Sequence, residues 1–316
     1  MIANKTTLIV GAGASVDLDY PTGVQLKDWI VDGRGITNNY GDEGIADRKK
    51  LTWRLKRSLI PSIDAFLAEE ENADLRAWGV ICIAAALLPC ESLKKSAPPQ
   101  WLQMLFNAIR GRKTEQRQEK LKIVTFNYDL SIEFFLFHAF LAAYKLSSQE
   151  ARKAFEESVE VIHVYGHLGQ IMEFGGNREY GAPVETYTIN DAKNNLVIIG
   201  RKPEDPLFTA AQAAIAEAEF IAILGFGYDE TNVANLRMVD LTKSKFILST
   251  AYDMGVGMRG WINHMGIKNV LFGMPQDDVT QFLHRSAFFR WANTPGMKAE
   301  EMYNAIYTAP MRLPEY

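Results

Sequence analysis

Cysteine is almost missing from this chain: 316 residues contain only Cys82 and Cys90. Both fall in one apolar helical stretch, too few for a disulfide framework and without metal-ligand spacing. A reducing, cytoplasmic setting and no bound metal are expected. A strong charge of one sign is missing too. The formal net charge is -4, which gives no basic field for nucleic acid, and the run Arg110-Gly111-Arg112-Lys113 reads as a solvated loop. The longest apolar run, Val80 to Leu88, stops at Pro89 and falls far short of the roughly 20 residues that span a bilayer, so no membrane partner is expected. The first strand begins within about five residues of Met1, which leaves no room for a signal peptide. Internal repeats, low-complexity tracts and strong linkers are lacking, so a single domain over residues 1–316 is expected.

What is present is an apolar fraction of 47%, ample for a packed core, and a set of strands that stop at glycine. Thr6-Thr7-Leu8-Ile9-Val10 reads as a buried parallel strand, and Gly11-Ala12-Gly13-Ala14-Ser15 follows as a sharp turn. Without a Cβ at Gly11 and Gly13, backbone N–H groups could come close to a pyrophosphate, and a helix starting just after would add its positive end. An ordinary dinucleotide-binding plan would return to a second strand within about 30 residues. Here a Gly/Asn-rich loop (31–44) intervenes, followed by a helical insertion at about 45–115, read from the spacing of Leu51, Leu55, Leu59 and Ile63, the stretch Ala77 to Leu88, and Trp101, Leu105, Phe106 and Ile109.

The strand pattern resumes at Leu121 to Thr125 and ends in Phe126-Asn127-Tyr128-Asp129, ahead of a helix from Leu130 to about Lys145 that is apolar nearly all round. Val159 to Tyr165 closes at Gly166-His167-Leu168-Gly169. Residues 170–195 read as an irregular excursion, a candidate lid. Further strands are expected at Leu196 to Ile199, Phe220 to Leu224, Lys245 to Leu248 and Asn269 to Phe272, with helices near 206–218, 231–241, 256–264 and 276–291. This alternation predicts an α/β fold, a Rossmann-like doubly wound parallel sheet with helices on both faces.

Polar residues at the carboxyl ends of parallel strands face the crevice where ligands bind. The candidates there are Gly11, Ala12, Gly13 and Ser15; Thr125, Asn127 and Asp129; His163 and His167; Gly225, Gly227 and Asp229 of a second glycine turn; and Ser249 and Asp253 beyond the next strand. Asp129, Asp229 and Asp253 also stand where helix caps are expected.

The order Gly11-Ala12-Gly13-Ala14-Ser15, Tyr20-Pro21-Thr22-Gly23, Ser62-Ile63-Asp64-Ala65-Phe66-Leu67, Thr125-Phe126-Asn127-Tyr128-Asp129, a strand ending in histidine and glycine, then Gly225-Phe226-Gly227 resembles the Sir2 superfamily. More closely it resembles the bacterial SIR2-like proteins that destroy NAD during phage infection, over residues 6 to about 253. The resemblance implies a SIR2-type fold, NAD as substrate, and Asn127 with a histidine as the catalytic core. It also implies an abortive-infection effector gated by homo-oligomerisation or by a separate activating or sensor protein. Two departures stand out. Sirtuin deacylases carry a four-cysteine zinc module that two cysteines cannot supply, and their histidine directly precedes the glycine, where this chain has Tyr165. The histidine role therefore falls either to His163, on the same face of the strand as Tyr165, or to His167.

The chemistry fits such residues. Breaking the nicotinamide–ribose bond develops oxocarbenium character at C1′ and expels a group that is already cationic, so no strong acid is required. An asparagine amide could orient the ribose or the attacking water, and a histidine could act as general base. Two rivals are a zinc-free deacylase or ADP-ribosyl transferase, and a module that binds NAD or ADP-ribose without turnover.

Overall fold

The computed structural model describes residues 2–34, 42–91, 98–110, 119–197 and 202–308. Thr6–Val10 (β1) is buried at every position, as a strand covered on both faces must be. It forms the middle of a six-stranded sheet with Leu121–Thr125 (β2), Val159–His163 (β3), Phe220–Leu224 (β4), Ile247–Ser249 (β5) and Val270–Phe272 (β6), in the order β3-β2-β1-β4-β5-β6. Each neighbouring pair is parallel. The chain runs outward from β1 in one direction, then returns and runs outward in the other. The sheet's order therefore reverses between β1 and β4, where a crevice opens in doubly wound sheets.

Alternation along the strands sorts the core into layers. Leu8, Val10 and Ile123 point to one face, packed with residues of Gln100–Ile109 (α5) and Ser131–Tyr144 (α6). Ile9, Val124 and Ile223 point to the other, against Pro206–Glu217 (α9) and Val256–His264 (α12). A separate cluster lies among helices Gly23–Val31 (α1), Asp42–Arg57 (α2), Ile63–Glu69 (α3) and Ala73–Leu87 (α4), which together with α5 fill the β1-to-β2 connection. One stretch, Ala73–Cys90, is long and apolar enough to cross a membrane by length and composition, but 56% of it is buried inside the fold as a core helix.

Several expectations need correction. Leu59 does not continue the helical stripe: it is 91% exposed at φ +57, between α2 and α3. Leu196 is not in a sheet strand; it makes an isolated antiparallel bridge to Gly166, because helix Thr186–Asn195 (α8) runs right up to it and Leu196 is its C-cap. Residues 198–199 of that expected strand, 111–113 of the basic run, and 35–41 of the Gly/Asn-rich loop lie outside the described residues. The segment 170–195 is not irregular throughout, since α8 occupies its second half and buries Thr188, Ile189 and Ala192. Helix Ser148–Ser158 (α7) was not anticipated. The expected helices over 231–241 and 276–291 are each broken in two. Glu230–Asn235 (α10) and Met238–Leu241 (α11) meet at Arg237, and Val279–Ser286 (α13) and Phe288–Ala292 (α14) at Ala287, each junction residue having positive φ.

Candidate functional site

The turn after β1 is tight because another backbone touches it. A Cβ on Gly11 would stand 2.6 Å from the Gly225 carbonyl oxygen, and one on Gly13 2.9 Å from the Gly225 Cα. The Gly11 N–H donates to the Leu224 carbonyl (2.9 Å) and the Gly13 N–H to the Gly225 carbonyl (3.0 Å). The close approach that these glycines permit is thus between two turns of the protein, and both N–H groups are spent on it. No α-helix starts directly after this turn, and the helix follows where the apolar spacing of Val24, Leu26, Trp29 and Ile30 places it. Short 3-10 turns cover Ala12–Ala14 and Val16–Leu18, and α1 begins only at Gly23, under a Thr22 capping box.

Asn127 sits beside this turn, held from four sides. Its N–H donates to Thr125 Oγ1 (3.0 Å), and its Nδ2 donates to the Gly11 carbonyl (3.1 Å) and to Ser15 Oγ (2.9 Å). Its own carbonyl accepts from His163 Nδ1 (2.9 Å). Because the Gly11 carbonyl can only accept, the amide group facing it must be the NH2, which fixes the orientation of the side chain. Its other atom, Oδ1, is buried without a hydrogen-bond partner. Ser15 Oγ in turn donates to Asp129 Oδ2 (2.9 Å), while Asp129 Oδ1 accepts from the Ser131 N–H (3.1 Å) at the start of α6. Burial raises the Asp129 pKa, against the lowering effect of the Ser131 and Ser15 hydrogen bonds and of His163. Tyr128 ties the helical region to this site through its hydroxyl, which donates to Asp64 Oδ1 (2.5 Å).

The two histidines differ. His163 has both ring nitrogens occupied: Nδ1 faces the Asn127 carbonyl and Nε2 lies 2.7 Å from Glu133 Oε1 on α6. A carbonyl accepts only, so Nδ1 carries the proton, and His163 has no nitrogen left for a ligand. Burial works to lower its pKa, but the charge and hydrogen bond of Glu133, with Asn127 and Asp129, outweigh it and raise the pKa overall. His167 lies alongside, its ring centroid 5.7 Å from that of His163. Its Nδ1 is buried without a hydrogen-bond partner, and burial, then the neighbouring His163 charge, lower its pKa. Of the pair, His167 is the one with the form of a free base.

The remaining candidates lie on the β4 side. Gly225 has φ +62, and a Cβ there would reach 2.3 Å from the Ala14 nitrogen. Gly227 faces open space. Asp229 caps α10 by accepting from the Asn232 N–H (3.1 Å), and Asp253 is an exposed positive-φ residue. Ser249 is fully buried; its hydroxyl accepts from Tyr228 (2.8 Å) and donates to the Thr250 carbonyl (2.9 Å). Over the crevice, the Tyr165 hydroxyl beyond β3 donates to Asn232 Oδ1 on α10 (2.5 Å), with Phe126 packed edge-on against Tyr165 and tilted against Phe226. A cavity of about 320 Å³ lies elsewhere, among Trp53, Arg54, Arg57 and Phe66 of the helical region.

Sequence reasoning missed two acidic residues. Glu133 stands in an otherwise apolar helix, and a buried charge in such a helix is itself a signal that a partner exists. Glu91 pairs with Arg178, Oε2 to Nη1 at 2.5 Å and Oε1 to Nη2 at 2.8 Å, with both side chains almost fully buried. Arg178 lies in the candidate lid and is thereby pinned to Glu91, just past the 3-10 turn Leu88–Cys90 that follows α4; no local pattern announces a pair that far apart. Among the described residues, no group of three or more His, Cys, Asp or Glu is placed to hold a metal ion. No protein-family model and no curated protein matches this chain, so its function is read from the geometry above.

Proposed function

We propose that this chain is a SIR2-type NAD hydrolase that releases nicotinamide and ADP-ribose. The observation that carries the reading is Asn127: fixed at four points just beyond the end of β2, against the turn that follows β1, it keeps Oδ1 buried and unpaired. A buried acceptor without a donor costs about 1–3 kcal/mol, a cost that a bound water or ribose hydroxyl would remove. In the proposed reaction the C1′–N bond breaks with its electron pair returning to the nicotinamide ring. A water held by Asn127 Oδ1 attacks C1′, and its proton goes to His167, which its lowered pKa keeps neutral near pH 7. No metal takes part in this scheme. By the same reading the protein is a cytoplasmic anti-phage effector, with its activity gated by assembly of copies or by a separate sensor protein.

A second reading, binding of NAD or ADP-ribose without turnover, is favoured by the Tyr165–Asn232 hydrogen bond over the crevice. Nicotinamide release by purified protein, measured over a range of concentrations beside Asn127→Ala, His163→Ala and His167→Ala, separates the two. Turnover in the wild type that falls about 100-fold or more in Asn127→Ala, with folding stability shifted by only about 1 kcal/mol, supports hydrolysis. NAD binding with no release in any sample, even with extract of phage-infected cells, supports the binding module.

A further inference from the structure

Glu133 is used by nothing in the mechanism above, yet it is the acidic side chain in contact with the imidazole that holds Asn127. The chain of contacts runs from Glu133 Oε1 to His163 Nε2 (2.7 Å), then from Nδ1 to the Asn127 carbonyl (2.9 Å). Glu133 and His163 are both buried, and Glu133 Oε2 has no hydrogen-bond partner. A neutral imidazole carries one proton, and nothing intrinsic places it on Nδ1. A proton on Nε2 alone would set two acceptors, Nδ1 and the Asn127 carbonyl, against each other at hydrogen-bonding distance. The Asn127 carbonyl, which only accepts, disfavours that alternative, and Glu133 holds the far end of the ring so that Nδ1 stays aimed at it: as a carboxylate it pairs with an imidazolium protonated on both nitrogens, and as a carboxylic acid it donates to Nε2. In both cases Nδ1–H points at Asn127.

We propose that Glu133 is a positioning residue of the site, which acts through His163 to fix the main chain of Asn127 and so the aim of its unpaired Oδ1. The inference about catalysis rests on the hydrolase reading, while the inference about the imidazole does not. The substitutions that test it are Glu133→Leu, which removes both oxygens at similar volume, and Glu133→Gln, whose amide can donate to Nε2 and keep the proton on Nδ1.

Nicotinamide release is measured for both variants beside the wild type, and in parallel the His163 ring is followed by 15N NMR on the full chain near pH 7. In Glu133→Leu, kcat falls about 10-fold or more, with KM changed by less than about threefold, because the loss is of aim rather than of binding. Glu133→Gln recovers kcat to within about threefold of wild type, since geometry and not charge is what it restores. The NMR spectrum shows a hydrogen-bonded Nδ1–H in the wild type and in Glu133→Gln, and in Glu133→Leu the Nδ1 proton moves upfield and exchanges faster with water as the untethered ring loosens its bond to the Asn127 carbonyl. Unchanged kcat in Glu133→Leu, or failure of Glu133→Gln to recover it, overturns the role in catalysis. An Nδ1 proton whose shift and exchange rate are unaltered in Glu133→Leu overturns the positioning itself, and that readout needs no turnover. No nicotinamide release from the wild type even with extract of phage-infected cells, together with the expected change at the Nδ1 proton in Glu133→Leu, discards the hydrolase reading and keeps the Glu133 contact.

Discussion

Two Gly-x-Gly turns face each other across β1 and β4, and their surroundings are finished differently. Around Gly225–Asp229 the polar groups serve the fold: the Gly225 N–H donates to Thr250 Oγ1 (2.8 Å), Tyr228 and Thr250 take up the Ser249 hydroxyl, and Asp229 caps a helix. Around Gly11–Ser15 and the neighbouring ends of β2 and β3, a denser network leaves three buried atoms without partners: Asn127 Oδ1, Glu133 Oε2 and His167 Nδ1. Each such atom costs free energy that a scaffold has no reason to spend. The comparison separates an end of the sheet built to hold together from an end built with acceptors left open.

The largest effect is expected behind the open end. Arg178 holds residues 171–178 down: it pairs with Glu91, donates through Nη2 to the Gly169 carbonyl (3.3 Å), and its own carbonyl accepts from the Met172 N–H (2.8 Å). Nearby, Tyr180 stacks on Phe134 at 4.2 Å and its hydroxyl meets Ser131. Arg178→Ala would strand the Glu91 carboxylate in the interior, and breaking a buried pair from one side costs about 3–5 kcal/mol. Urea unfolding measures it. A loss below about 1 kcal/mol, the value of an exposed pair, would mean that this segment is a freely opening lid after all.

A smaller effect tests the closed end. Gly225→Ala puts a methyl 2.3 Å from the Ala14 nitrogen and holds an alanine at φ +62. The left-handed conformation alone costs about 1–2 kcal/mol, and the clash adds to it. Gly227→Ala meets nothing within 4 Å, so its stability stays within about 0.5 kcal/mol of wild type. If the two glycines proved equally sensitive, the second turn would not be the scaffold described here.

The sheet was legible because buried parallel strands announce themselves as apolar runs ending at glycine, and Thr6–Val10, Leu121–Thr125 and Phe220–Leu224 have the bounds read from the sequence. Strand order was not legible, since the β1-to-β2 connection carries a helical region whose packing no local pattern encodes. The periodic stripe failed at Leu59, where a positive φ interrupts helix geometry without any glycine to mark it. In the site, the strand ends lie so that Asn127, His163 and His167 are neighbours, but the meaning of the glycines changed: their missing Cβ atoms make room for Gly225, a contact about 210 residues away in sequence that no turn rule foresees. Which histidine is free depends on Glu133, one helical turn beyond Asp129, and its partner is visible only in three dimensions.

The smallest expected effect is a difference of sign between the two histidines. The pKa of His167 is lowered in the fold, so the unfolded chain binds its proton more readily; its contribution to stability is present above the unfolded value of about 6.5 and is lost as pH falls through the folded value. The pKa of His163 is raised, so its contribution is full below about 6.5 and is lost as pH rises through the folded value. Thermal midpoints measured between about pH 5 and pH 8 should therefore show a shallower loss on the acid side in His167→Gln than in the wild type, whereas His163→Gln should lose stability most on that same side. Parallel curves for the two variants would mean that the neighbouring rings titrate alike, and the division between a histidine spent on Asn127 and one left free would fall with them.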